Sequence, residues 1–220
     1  MTERESTAPR IVVVATRNAG KLRELLPLFT QAGLAPRTLD EVGIAEEAGE
    51  DALETAATFE ANALAKARHF HARCGYPTVA DDSGLAVHAL GGAPGVRSRR
   101  WSGRPDLEGA ALDAANNALL LERLAGVEDR RARFVCAAAW VDDAREVVRL
   151  GECPGRIAAR PSAGRHGFGY DPLFVSDELG ATFAEVERAA KARVSHRARA
   201  FGALLGALRA LDRAVGCGYD

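Results

Sequence analysis

Near the start of the chain, Ile11-Val12-Val13-Val14-Ala15 forms an apolar run with no polar alternation. A half-exposed strand alternates, so this run predicts a strand buried on both faces. Such a strand needs cover on each face of its sheet, which points to an α/β arrangement. The run breaks at Thr16-Arg17-Asn18-Ala19-Gly20. Beyond it Leu22, Leu25, Leu26 and Phe29 recur at helical spacing, with Gly33 as the stop. The unit is strand, polar loop, helix, with the loop at the strand's C-terminal end, where open α/β sheets bind ligands.

The rest of the chain reads as mixed α and β. Thr58 is placed to cap a helix running to about residue 73, with Phe59, Ala63, Ala67 and Phe70 on one face and Gly75 ending it. Residues 77–80 read as a short strand leading into Asp81-Asp82. Gly91-Gly92-Ala93-Pro94-Gly95 reads as a loop. A helix is expected over 106–124, a hairpin from 133–141 and 146–151, and a strand over 172–175. Ser195 is expected to cap a last helix carrying Phe201, Leu204, Leu205, Leu208 and Leu211. Residues 1–9 read as a loose tail and 10–220 as a single domain of two lobes.

Composition narrows the function classes. Lys+Arg 29 against Asp+Glu 30 leaves a formal charge of -1, which offers no global field for a nucleic acid polymer or an anionic membrane. A local basic cluster still suffices for a small phosphate-bearing molecule. The apolar run at 11–15 is too short for a signal-peptide core or a membrane span. Cys74, Cys136, Cys153 and Cys217 show no CxxC or metal-finger spacing, as expected of free thiols in a reducing cytoplasm.

Several groups of residues carry possible chemistry. Asp81-Asp82-Ser83-Gly84 puts two carboxylates directly after a buried strand. Hard oxygen ligands of this kind suit Mg²⁺, although Asp, Ser and Gly also make solvated turns. Thr16-Arg17-Asn18-Ala19-Gly20-Lys21 lies where a strand meets a helix N-terminus, whose exposed N–H groups favour an anion. It is not a Walker A loop, because Leu22 follows Lys21 and the upstream glycine is missing. An ordinary capped turn is the alternative. Asn62 and Lys66, four apart, share a helix face distinct from the apolar one; that face could meet a triphosphate or simply solvent. Glu54 could supply a second metal carboxylate. Phe168-Gly169-Tyr170-Asp171-Pro172 pairs aromatic rings with bendable backbone, suited to a base or to the core. Lys191 with Ser195-His196-Arg197 gathers donors around a helix start, and Arg donors match a purine O6.

The ordered set of these motifs, from Thr16-x-Asn18-x-x-Lys21 to Ser195-His196-Arg197, resembles the inosine/xanthosine triphosphate pyrophosphatase family over nearly the whole chain. The resemblance implies a mixed α/β fold with an elongated central sheet flanked by helices, and two lobes enclosing a nucleotide cleft. It also implies Mg²⁺ dependence, a homodimer, and hydrolysis of ITP, dITP and XTP to the monophosphate and pyrophosphate. On that likeness Thr16, Arg17, Asn18, Ala19, Gly20 and Lys21 form the triphosphate loop, and Ser83 contacts substrate. Phe168 stacks on the base, with Gly169, Tyr170 and Asp171 completing its pocket. Lys191, His196 and Arg197 select its keto form. Asp82, Lys66 and Asp81 are the catalytic candidates, and Asp82 with Glu54 the metal ligands. The roles of Asp81 and Asp82 as base and ligand stay open. So do a non-catalytic purine-nucleotide-binding module and a pyrophosphatase for other nucleotides. Arg17 stands where the family has Gly, Ala56 where Gly is common, and Ala61 where a Glu would complete a capping box with Thr58.

Overall fold

A mixed sheet of six strands is built from β1 (Ile11–Val14), β2 (Ala35–Thr38), β3 (Thr78–Val87), β4 (Arg131–Val141), β5 (Glu146–Ile157) and β6 (Phe174–Ser176). The computed structural model describes residues 9–216 except residue 48, so the tail at 1–8 and Cys217 lie outside the described residues. The strand order is β2-β1-β3-β4-β5-β6. β1 runs parallel to β2 and β3, and the pairs from β3 to β6 are antiparallel. Flanking helices are α1 (Ala19–Gln31), α2 (Phe59–Cys74), α3 (Gly109–Arg123), α4 (Arg188–Val194) and α5 (His196–Gly216).

The first strand is buried on both faces, as its composition requires. Val12 and Val14 pack with Leu25 and Phe29 of α1 and Phe201, Leu204 and Leu208 of α5. Val13 and Ala15 pack on the other face with Ala63, Ala67 and Phe70 of α2. A further core gathers Leu85 and Val87 of β3 with Phe134, Phe174 and Phe183, under Leu120 and Leu124.

The strand expected at 77–80 does not end there. β4 pairs with β3 continuously from Thr78↔Val141 to Val87↔Ala132, so Asp81 and Asp82 are strand residues and no turn follows Ala80. β1 reaches only Thr78 and Val79, and then turns away into α1. Beyond Val79 that edge of β3 is left without a β1 partner. The second hairpin strand likewise continues past Gly151 to Ile157. Gly151 is a contact rather than a stop, because a Cβ there would lie 2.3 Å from both His196 O and Ala200 N of α5. Gly151→Ala is therefore expected to cost about 1–3 kcal/mol through overpacking, read as a lower urea midpoint. An unchanged midpoint would mean that α5 shifts freely.

β2 and α4 have no sequence signature. Pro36 and Arg37 argue against a strand, and β2 is tolerated because it is an edge. The predicted caps hold: Thr58 Oγ1 accepts from Ala61 N at 3.2 Å, and Ser195 Oγ from Ala198 N at 3.2 Å. The helix expected from residue 106 starts at Gly109, while Asp106 pairs with Arg104. The strand expected at 172–175 is Phe174–Ser176. Cys74, Cys136 and Cys153 are free thiols. Among the described residues no helix is long and apolar enough to cross a membrane.

Candidate active site

Because successive strand residues point to opposite faces, Asp81 and Asp82 do not share a site surface. Asp81 faces α1 and α5, while Asp82 faces α2. Their adjacency in sequence suggests mutual repulsion; Lys21 and Lys66 act on both, but only Asp81 has direct ion pairs.

Asp81 is almost fully buried. Its Oδ2 pairs with Lys21 Nζ at 3.0 Å and Arg197 Nε at 3.2 Å, and accepts from Ser83 Oγ at 3.2 Å. Burial opposes its ionisation, but Lys21, Arg197 and Lys66 outweigh that and hold the carboxyl well below the usual carboxylate range. Held this way, Asp81 anchors the side chains of Lys21 and Arg197. Its backbone carbonyl, lacking a β1 partner, accepts from Lys66 Nζ at 2.9 Å and Lys21 Nζ at 3.4 Å.

The ion pairs continue away from Asp81. Arg197 Nη1 reaches Glu24 Oε2 at 2.6 Å and Nη2 donates to Ser83 Oγ at 2.8 Å. Lys191 Nζ pairs with Glu24 at 3.1 Å and Asp171 at 2.6 Å. On this face Lys21, Arg197 and Lys191 pair with Asp81, Glu24 and Asp171, and burial still pushes the Asp171 carboxyl up against Lys191. Glu24 is absent from the sequence-derived set, although it lies three residues after Lys21 on the same helix face, and that spacing is the signal. His196 is buried and stacks on Phe134 at 4.7 Å. Burial first, then Arg197 and Lys191, keep its imidazole neutral, well below the ordinary value.

The α2 face is not balanced. Asn62 and Lys66 are buried, so the solvent-facing alternative for that helix face is excluded. Asn62 Nδ2 donates to Asp82 Oδ2 at 2.8 Å, and Lys66 Nζ pairs with Glu54 Oε1. Lys66 thus makes its ion pair with Glu54 and none directly with Asp82. Burial, and then Glu54, push the Asp82 carboxyl up to about 6, against the hydrogen bond from Asn62. Glu54 falls below its usual range, because Lys66 and Lys21 outweigh its burial. Two hard carboxylates, of which Asp82 is under-neutralised, fit Mg²⁺, which takes one or two from protein and leaves other positions to water and phosphate. No cluster of three or more potential metal-ligating His, Cys, Asp or Glu side chains occurs among the described residues.

The loop before α1 is shaped by its own side chains. Asn18 Oδ1 accepts from Lys21 N at 3.0 Å and Thr16 Oγ1 from Asn18 N at 3.2 Å, leading the chain into the N-terminus of α1 at Ala19. Arg17 departs from expectation. Its guanidinium is engaged by Glu50 at 2.9 Å from both Nε and Nη2, and by Asp40 at 3.1 Å, so its side chain is not a free phosphate ligand. Phe168 covers Gly20, where a Cβ would lie 2.7 Å from its ring. Lys191 Nζ lies 5.1 Å and Arg197 Cζ 5.9 Å from the Phe168 ring centre. Asp113 and Asn117 of α3, also absent from the sequence-derived set, clamp Gly169 through its N–H at 2.7 Å and its carbonyl at 3.0 Å. Tyr170 is buried, and its hydroxyl donates to Ser98 O at 2.8 Å. Beside Phe168 opens a cavity of ≈ 310 Å³ lined in part by Gly20, Glu24, Phe183 and Lys191.

Fold and site together define a class: an α/β protein that brings together, past the end of β1, a helix N-terminus, lysines and the Glu54 and Asp82 carboxylates, a chemistry suited to a polyphosphate. The chain belongs to the Ham1 family, whose model matches residues 12–207. It is 53% identical over 206 residues to the dITP/XTP pyrophosphatase of Nocardia farcinica, covering 91% of this chain and 95% of that protein. To the dITP/XTP pyrophosphatase of Bordetella parapertussis it is 48% identical over 204 residues, covering 91% and 92%. The solved structure of a HAM1 protein from Coxiella burnetii superposes with a TM-score of 0.77 at 34% identity, covering 91% of this chain and 98% of that one.

Proposed function

We propose that this protein hydrolyses the non-standard purine nucleoside triphosphates ITP, dITP and XTP to the nucleoside monophosphate and pyrophosphate. The observation that carries the reading is the buried, under-neutralised Asp82 carboxylate beside the Glu54–Lys66 pair and the loop that opens α1. Glu54 and Asp82 would hold Mg²⁺, which supplies neutralisation of charge on the phosphate oxygens. Lys21, Lys66 and the N-terminus of α1 hold those oxygens, with Thr16 and Asn18 shaping the loop. Asp82 is the stronger base of the two aspartates, and its carboxylate orients the attacking water. Asp81 keeps Lys21 and Arg197 in place and takes no proton.

Phe168 stacks on the base, and Lys191 and Arg197 near its ring supply donors for a 6-keto oxygen. His196, held neutral, adds no charge. Adenine presents an amino group at that position and leaves such donors unpaired, a mismatch that can reject an analogue by orders of magnitude. Pyrophosphate release is to be measured with ITP, XTP, dITP, GTP, ATP and dUTP. The expected result is a kcat/KM for ITP and XTP at least about 10²-fold above that for ATP. Comparable turnover of ATP and ITP would overturn the selectivity, and release of orthophosphate instead would overturn the site of cleavage.

A further inference from the structure

Glu54 differs from Asp82 in how it is held. Asp82 belongs to a central strand, whereas Glu54 ends a 3₁₀ segment, Glu50–Glu54, that belongs to no sheet and enters through Gly49 at a φ of 102°. An arm of this kind positions a carboxylate only if something fixes it.

Lys66 holds the Glu54 carboxylate directly, and three further contacts hold the arm. Near its start, Glu50 takes the bidentate Arg17 pair, both distances being 2.9 Å, and its Oε1 also accepts from Glu47 N at 3.2 Å. The pair is shielded, with Arg17 and Glu50 side chains 21% and 16% exposed, and Arg17 also donates to Ile44 O at 3.2 Å. At its end, Arg100 Nη2 donates to the carbonyl of Glu54 at 2.8 Å. Just beyond, Ala56 N donates at 2.8 Å to Oδ1 of Asn62, the residue whose amide also holds Asp82. Arg17 lies between Thr16 and Asn18, so its grip on Glu50 ties the arm to the loop that opens α1.

We infer that Arg17 and Arg100 are positioning residues that clamp the 49–56 arm, so that the Glu54 carboxylate is presented beside Asp82 where both could hold a divalent cation. The inference rests on the Glu54 and Asp82 reading above. It assigns a role to a side chain that stands in the phosphate loop yet points its charge at an acid behind it. Groups that orient ligating carboxylates typically govern metal affinity by 10- to 100-fold.

The test uses the full-length protein with Arg17→Gln, Arg100→Gln, Glu50→Gln and the exchanged pair Arg17→Glu with Glu50→Arg. Hydrogen exchange is followed across residues 49–56, and Mn²⁺ affinity is measured by electron paramagnetic resonance. ITP hydrolysis is titrated with Mg²⁺. Each single variant is expected to exchange faster in the arm and to bind Mn²⁺ about tenfold more weakly. Half-maximal activity should need about tenfold more Mg²⁺, with kcat at saturating Mg²⁺ within about twofold of wild type. The exchanged pair should recover part of the affinity.

Unchanged exchange in the arm overturns the clamp. So does a raised KM for ITP at saturating Mg²⁺ with unaltered Mn²⁺ affinity, since that pattern marks Arg17 as a phosphate ligand. If the wild-type protein binds Mn²⁺ through this site but releases no pyrophosphate from ITP, the proposed activity fails while the clamp stands on exchange and affinity.

Discussion

Asp82→Asn is expected to lower ITP turnover by roughly 10²–10⁴-fold, the rate equivalent of losing a few kcal/mol of charge stabilisation on the phosphate. The same substitution is expected to make the metal-free protein more stable at neutral pH. Asp82 is buried beside Glu54, and its carboxyl is pushed up to about 6. The folded state therefore holds that proton more tightly than the unfolded chain does. Stability falls as pH rises from about 4 to about 6, and the penalty, on the order of 3 kcal/mol, is complete above that window. Asparagine carries no such charge. Against this gain, its amide mismatches one of the two donors that Asp82 now satisfies, Asn62 Nδ2 at 2.8 Å and Ser83 N at 2.9 Å, at a cost of about 1 kcal/mol. The charge effect wins, leaving a net gain of about 1–2 kcal/mol at pH 7.5 that disappears toward pH 4. Urea unfolding in the presence of a chelator, at both pH values, measures it. Added Mg²⁺ should stabilise the wild type and not the variant. A variant less stable than wild type at pH 7.5 would show that Asp82 is not an under-neutralised charge.

The trade between stability and activity at Asp82 was only half visible in the sequence. The strand-loop-helix unit from Ile11 to Phe29 is legible because unalternating burial and helical spacing are local signals. Asn62 and Lys66 are legible as a pair because four-residue spacing fixes a common face, though only burial decides between pocket and solvent. The strand carrying Asp81 and Asp82 misleads because its apolar run ends at Ala80 while its pairing with β4 does not. Propensity reads the residue types there as a turn; a long-range ladder overrides it. Arg17 is a second case. Position in the loop suggests a phosphate contact, and nothing local announces that Glu50, 33 residues away, takes its charge. Glu24 is hidden in the same way among the leucines of α1, where its partners Lys191 and Arg197 come from α4 and α5.

Those distant partners set the second large effect: Arg197→Met is expected to destabilise the protein by about 3–5 kcal/mol at pH 7.5, the cost of removing one partner from two buried ion pairs. Arg197 is 3% exposed and its guanidinium joins Asp81, Glu24 and Ser83, so one truncation strips two carboxylates at once. In the wild type both carboxyls lie below the ordinary range, because the cations outweigh burial. Their stabilising contribution is thus present above about pH 4 and lost only as pH falls further. Without Arg197, burial is opposed by fewer cations, and both carboxyls rise. The variant's deficit is then largest at neutral pH and shrinks as acid protonates the stranded groups. Methionine fills much of the arginine stem's volume, which limits the packing loss. Arg197→Lys separates charge from geometry, since a single ammonium cannot span three partners and should recover only part of the loss. Thermal unfolding at pH 5 and 7.5 distinguishes the causes: a deficit equal at both values would mean lost packing. A deficit that shrinks at pH 5 would mean that Arg197 helps to hold Asp81 and Glu24 ionised, on the face of the strand opposite Asp82.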